Sequence, residues 1–234
     1  MTQGIYKALR GAVAHEKSLE VVADNVANAN TTGFQGRKVT FSQVLMTTGN
    51  GPQPTVRADL SALDTTAGAI RSTGRPLDVA IEGRGYFVLE TPQGPRLTRN
   101  GSFSVNADGA LVGSGGALVL ARDGGPIVLP EPGDTPLIAP DGTVTVGTES
   151  VGSIWVTEPA ASTLESEGTL LRSSEGLPAS EPGQHRLVSG ALESANVNVI
   201  QGMLDLIRVT RTYESLTRAI EMENELDTRT ARGG

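Results

Sequence analysis

The sequence predicts an α+β chain with one long amphipathic helix near each terminus and a central, mainly antiparallel β domain. Three observations predict it. Apolar residues recur at steps of three and four near both ends, over about residues 3–27 and 196–228. Short apolar runs between them are separated by Asp-Gly pairs, a hairpin signal. The 29 Gly and 13 Pro of the 234 residues are far more turn formers than a helical chain of this length carries.

The first helix is read from Ile5, Leu9, Ala12, Val13, Leu19, Val22, Ala23 and Val26, with Lys7, Arg10, Glu16, Lys17 and Glu20 between them. Asn28, Asn30 and Gly33 end it, being residue types that accept left-handed backbone. Residues 35–75 are rich in Thr, Gly and Pro and hold no sustained period, so they read as an extended connector, with a short helix expected around Val39–Met46. The β domain, 76–190, carries runs at Leu77–Ile81, Tyr86–Leu89, Ala117–Leu120, Ile127–Leu129, Thr143–Val146 and Ile154–Val156. Its turn signals are Asp108-Gly109, Asp123-Gly124 and Asp141-Gly142.

In the last helix Val199, Leu206, Tyr213 and Ile220 recur every seven residues, with Val209 and Leu216 three after Leu206 and Tyr213: an a/d seam of about three heptads. Asn198 followed by Gln201 reads as a capping box, and Glu214 with Arg218 is the favourable i,i+4 orientation. Gly202 falls on the seam, where it weakens the start of the helix.

Composition excludes several functions. Without Cys there is no disulfide and no thiolate metal site, and with only His15 and His185 a zinc site would need carboxylates for its remaining ligands. The formal charge of −7, with 19 basic residues scattered among 26 acidic ones, is opposite to what phosphate neutralisation needs, so nucleic acid is not an expected partner. No apolar stretch approaches the roughly 20 residues that cross a bilayer, and Met1–Arg10 lacks the apolar run of a signal peptide. Neither membrane insertion nor general secretion is expected.

Catalytic and ligand sites are no better supported. Ser104-x-Asn106-x-Asp108-Gly109 starts like a calcium loop, but its twelfth position is Gly115 where a bidentate Glu belongs. Gly113–Gly116 lies between strands, with no helix N-terminus following it to hold a phosphate. The acids sit mostly in Asp-Gly turns, Trp155, Tyr86, Phe87 and Phe103 are few aromatics for a sugar platform, and the sequence pattern points to no general base. No enzyme activity, cofactor or metal is expected.

Each terminal helix carries an apolar stripe, and two helices alone cannot cover both stripes. Two arrangements satisfy them: both helices pack on the β domain, or they pair and bury the remainder against other copies or other chains. Periodicity does not choose.

Three separated segments, Asn25–Phe34, Pro76–Phe87 with Leu97–Phe103, and Val188–Asn198 with Arg211–Tyr213, resemble the axial proteins of the bacterial flagellum, the rod, hook and hook-associated proteins. Asn25-Val-Ala-Asn-Ala-Asn-Thr-Thr-Gly-Phe34 is similar to the N-terminal signature of that family. Pro76–Phe87, with Leu97-Thr-Arg-Asn-Gly-Ser-Phe103 and Asp108–Leu111, resembles its β-domain signature, and Val188–Asn198 with Arg211-Thr-Tyr213 the C-terminal one. Arg75–Val79, Ser189–Glu193 and the chain length are most similar to proximal rod members, with the distal rod type as the alternative; a hook protein would carry a large extra β domain.

The resemblance implies a fold class of α+β with paired long N- and C-terminal helices, coiled-coil-like, and the central antiparallel β domain. It implies a helical core domain from residues 1–34 and 191–234, packed side by side with other flagellar rod proteins and copies of itself into a hollow shaft that crosses the periplasm. It implies export through the flagellar type III export apparatus without a cleaved signal peptide, a route that a chain without Cys suits because no disulfide can lock it. The expected assembly surface is Ile5, Leu9, Val13, Val22 and Val26 on the first helix and Val199, Leu206, Tyr213, Leu216 and Ile220 on the last. Asn25, Asn28, Gly33 and Phe34 are expected to set the turn out of the core.

Overall fold

A computed structural model describes residues 2–48, 51–130, 135–178 and 185–232; the side chains of 2–8, 10, 41–48, 51–61, 223–224 and 226–232 lie outside the description. The described residues form two α-helices, α1 (Thr2–Ala27) and α2 (Val199–Arg232), and seventeen strands. They divide into two compact units. One holds 1–27, 37–62 and 197–234, and the other 28–36 and 63–196.

In the first unit α1 and α2 run antiparallel: Gly11 lies against Leu216, and a Cβ built on Gly202 would come within 2.7 Å of Val26 Cγ2. Gly202 is therefore a point of close approach between helices as well as a weak helix former. The buried face of α1 is made of small residues, with Ala12, Ala14, Ser18 and Val21 all under 9% exposed. Leu9 and Val13, expected to be buried, are 49% and 57% exposed.

This corrects the expected fold class. A coiled-coil-like pair needs large apolar knobs from both helices, and α1 turns two of its large ones to solvent while offering Gly and Ala to its neighbour. The chain is mainly an antiparallel β protein with a single helix near each end, strand residues outnumbering helical ones.

A second correction falls on Val39–Met46, where strand β1 (Arg37–Thr48) replaces the expected short helix. Val39, Thr40, Val44, Thr47 and Thr48 are β-branched and stiff, and they favour a pleated surface. β1 pairs with β2 (Gly51–Leu63) in a two-stranded sheet.

The second unit is built on an eight-stranded sheet. Its central strand, Tyr86–Thr91, pairs antiparallel with Gly94–Thr98, Leu118–Val119 and Val156–Thr157. Side chains of that strand alternate between two cores. Phe87 and Leu89 join Val79, Ile81, Phe103, Leu111, Val119, Ile127, Val144, Ile154 and Leu187, while Tyr86 and Val88 join Leu97, Leu120 and Leu171. Phe87 and Phe103 meet edge to face at 5.0 Å.

All three Asp-Gly pairs sit at antiparallel connections. Ser104 faces Val112 across the first, Leu120 faces Pro126 across the second, and Leu137–Ile138 pair with Thr143–Val146 across the third. Asn106 does more than the Asp108 beside it: its Oδ1 accepts from Asp108 N at 3.0 Å and Ala110 N at 2.8 Å. That amide oxygen is spent on the turn. The run Ile127–Leu129 joins by an isolated bridge, Val128 to Ala110, with Leu111 N donating to Ile127 O at 2.8 Å and Leu129 N to Gly109 O at 2.9 Å.

Two short pairs complete the unit. Residues 185–189 pair with 79–83, and 191–193 with 70–72, both antiparallel. They bring the C-terminal signature segment beside the β-domain one.

Candidate assembly surface

In the first unit the last turn of α1 is tied to the start of β1 by one amide. Asn25 Nδ2 donates to Arg37 O at 2.8 Å and Arg37 N donates to Asn25 Oδ1 at 2.9 Å, a side chain copying a strand's bonding pattern. The Arg37 guanidinium pairs with Asp24 beside it.

In the second unit the chain from Asn28 turns tightly. Thr31 N donates to Asn28 O at 2.9 Å and Phe34 N to Thr31 O at 3.2 Å. Gly33 has φ +66° and a Cβ there would lie 2.3 Å from Asn100 N. Left-handed backbone and a missing Cβ are both required, so Gly33 has two reasons to be glycine. Phe34 is buried. We expect Gly33→Ala to lower the stability of this unit by about 2 kcal/mol or more, seen as a lower melting temperature in the sheet signal; an unchanged melt would show that the turn can open.

Around this turn lies a buried polar knot. Arg99 and Glu193 are 3% and 2% exposed and pair at 3.2 Å. Arg99 also donates to Gly83 O at 2.9 Å and lies 5.4 Å from the centre of the Tyr86 ring. Glu193 Oε1 accepts from Gly68 N at 2.8 Å, and its backbone carbonyl accepts from Gly33 N at 2.8 Å. Tyr86 OH donates to Gln35 Oε1 at 2.8 Å. Beside it, Asn196 accepts from Gly36 N at 2.7 Å and donates to Asp64 O and Thr66 O at 2.7 and 2.8 Å.

The three signatures, 25–34, 76–87 with 97–103, and 188–198, thus supply Gly33, Tyr86, Arg99 and Glu193 to one place. Arg99, Glu193 and Asn196 are not among the residues that the local sequence pattern singles out. Their signal was a charge or amide set inside a signature segment, flanked by residues that belong in a core.

Burial pushes the Tyr86 hydroxyl above its ordinary value of 10.0, with the Arg99 guanidinium pulling the other way. A raised pKa in the fold means that this tyrosine's contribution to stability is present below pH 10 and is lost as pH climbs through the folded value. Subtracting the alkaline ultraviolet titration of Tyr86→Phe from that of the unaltered chain should therefore leave a tyrosinate step above the ordinary range. A step at or below pH 10 would contradict the burial.

The remaining surface residues separate cleanly on the helices. Val22 and Val26 of α1 are half-buried, as are Val199, Leu206, Tyr213, Leu216 and Ile220 of α2. The α2 seam lies on the face that carries Gly202 and Leu216 toward α1. Leu9 and Val13 stand apart from these in solvent, and the side chain of Ile5 lies outside the described residues. Missed altogether were Ile200, Met203, Leu204 and Ile207, exposed on the opposite face of α2.

Comparison with known proteins bears on what such a surface serves. Residues 5–35 match the family model described as flagella basal body rod protein, 80–146 the flagellar hook protein FlgE/F/G D1 domain, and 188–232 the flagellar basal body rod FlgEFG protein C-terminal. The chain is 35% identical to the flagellar basal-body rod protein FlgF of Rhizobium meliloti over 97% of its own length and 96% of that protein's. It is 32% identical to FlgF of Caulobacter vibrioides, covering 97% and 95%, and 30% identical to the rod protein FlgG of Bacillus subtilis, covering 97% of each. With nearly its whole length aligned and all three signature regions matched in order, the chain belongs to the flagellar basal-body rod protein family and is of the FlgF type.

Proposed function

We propose that this chain is a structural subunit of the proximal part of the flagellar rod, with a mechanical and not a catalytic role. The observation that carries the reading is the likeness to FlgF proteins over nearly the full length of both chains. In this reading residues 1–34 and 191–234 form the assembling core, 35–75 the connector and 76–190 an outer β domain. Ile5, Leu9, Val13, Val22, Val26, Val199, Leu206, Tyr213, Leu216 and Ile220 serve helix–helix and intersubunit burial. Asn25, Asn28, Gly33 and Phe34 set the turn between core and outer domain.

Partners in this reading are other rod proteins and further copies of the chain, arranged by heterologous contacts that do not close, as a filament requires. The subunit crosses the inner membrane through the flagellar type III export apparatus and stands in the periplasm. No helix among the described residues is long and apolar enough to cross a membrane. The −7 formal charge and the absence of Cys fit a threaded, protein-binding subunit better than a nucleic-acid binder.

Electron microscopy of basal bodies purified from cells carrying an epitope-tagged chain tests the reading. Label on the rod, on the membrane-proximal side of the hook, is the expected result. Purified basal bodies that carry a complete rod and no label would overturn it.

A further inference from the structure

We propose that the outward face of α1 in one copy packs on the outward face of α2 in the next, displaced along the helix axis by about 19 Å. The inference rests on the rod reading and adds to it the residues, the faces and the stagger. Its members are Leu9 and Val13 on α1 and Ile200, Met203, Leu204 and Ile207 on α2, from 47% to 73% exposed. Both sets follow helical spacing, i,i+4 on α1 and i,i+3,i+4,i+7 on α2, so each is one stripe on one face.

The position of these stripes decides what covers them. At 100° per residue Leu9 and Val13 lie about 140° around α1 from the face of half-buried Gly11 and buried Ala14, Ser18 and Val21, with buried Ala12 on the flank between. The α2 stripe is likewise opposite the face that carries Gly202, Leu206 and Leu216. Each apolar stripe therefore points away from the helix partner in its own copy, the two in opposite directions. A patch with its complement on the far side of the same body makes heterologous contacts that propagate from copy to copy, whereas a two-fold pair would bury one stripe against itself and leave the other wet.

The stagger follows from the pairing within one copy. Gly11 is level with Leu216 and Val26 with Gly202. The α1 stripe, centred near residue 11, therefore lies level with residue 216 of its own α2, while the α2 stripe is centred between Met203 and Leu204. The offset is twelve to thirteen residues, about 19 Å at 1.5 Å per residue. Side-by-side copies without stagger would set Leu9 and Val13 on Arg211, Glu214 and Arg218, which are exposed on that part of α2. Sliding one copy by the offset replaces these charges with the apolar stripe. The same slide carries Glu16 of α1 to the start of α2, where the helix dipole favours an anion.

Six side chains fall well short of the roughly 1,200 Å² of a stable two-body interface. The contact is expected to form only where other rod contacts hold the copies in place.

The chain has no Cys, so introduced thiols report this contact alone. In a copy carrying both Val13→Cys and Leu204→Cys the two thiols lie about ten residues apart along the axis, roughly 15 Å, too far for a bond within one copy. Mild oxidation of basal bodies from such cells should give a ladder of disulfide-linked multimers of this chain, and neither single variant should give more than a dimer. Leu9→Cys with Met203→Cys serves as a second pair, in case the first is not incorporated. Double-variant chain present in basal bodies without a ladder, with either pair, would overturn the stagger and leave the rod reading standing. Absence of the unaltered chain from basal bodies with complete rods would overturn both. Dimers from the singles as abundant as those from the doubles would mean like faces meet, which also overturns the proposal.

Discussion

Arg99→Ala should destabilise the β unit by about 3–5 kcal/mol, the cost of leaving a buried carboxylate without its partner. Glu193 is 2% exposed and keeps only the Gly68 N–H bond to its side chain once the guanidinium is gone. The carbonyls of Ile81 and Gly83 lose their donor in the same step. Chemical denaturation followed by far-ultraviolet circular dichroism measures it, as a lower midpoint with an unchanged slope. Because the penalty is that of a stranded charge, the pair Arg99→Met with Glu193→Leu should cost clearly less than the two single changes added together. Additive losses would mean that the two side chains do not act on one another. A loss under 1 kcal/mol for Arg99→Ala would show that water reaches the knot.

The effect is expected to exceed that of a truncated core leucine because of what converges there. The knot ties Gly33 and Gly68 to Glu193 by two bonds, and these residues lie far apart in the chain. A Cβ on Gly68 would stand 1.9 Å from Ser194 O, so this crossing also has no room for a side chain. The turn after Asn28 and the segment before Asn196 are set by the same ion pair.

Local chemistry was legible in the sequence, and pairing over distance was not. The Asp-Gly turns announce themselves because a positive φ after Asp is a property of two adjacent residues, and the run at Tyr86–Leu89 because burial on both faces leaves no polar alternation. Val39–Met46 misled because its apolar spacing suits a helix while its β-branched residues favour a strand, and a partner strand at 51–63 settled the contest. The heptad spacing on α2 picks out residues that share a half-buried face. Nothing comparable marks the facing side of α1, since hydrophobicity selects Leu9 and Val13 and overlooks Gly11, Ala14 and Ser18, whose value is smallness. Arg99 and Glu193 are 94 residues apart, and only the fold makes them neighbours.

Leu206→Asp should leave the β unit folded and yet leave cells without a completed rod and non-motile. Leu206 is half-buried on the α2 face turned toward α1, between Gly202, which meets Val26, and Leu216, which meets Gly11. An aspartate there must either shed its water against apolar neighbours or push the helices apart, at roughly 1–3 kcal/mol in each copy. Leu206 belongs to the compact unit that holds the two helices, and the eight-stranded sheet to the other, so the sheet's melting transition should stay where it is. Assembly multiplies the loss, because every copy added to the shaft must adopt the same helix arrangement and each carries the same defect. Glu221→Ala, at an exposed position off the seam, should swim normally. Swimming in soft agar and electron microscopy of basal bodies read the outcome, with an immunoblot confirming export of the variant. Normal motility with the Leu206→Asp chain present in the basal bodies would mean that the packing of α2 on α1 is not what the rod is built from.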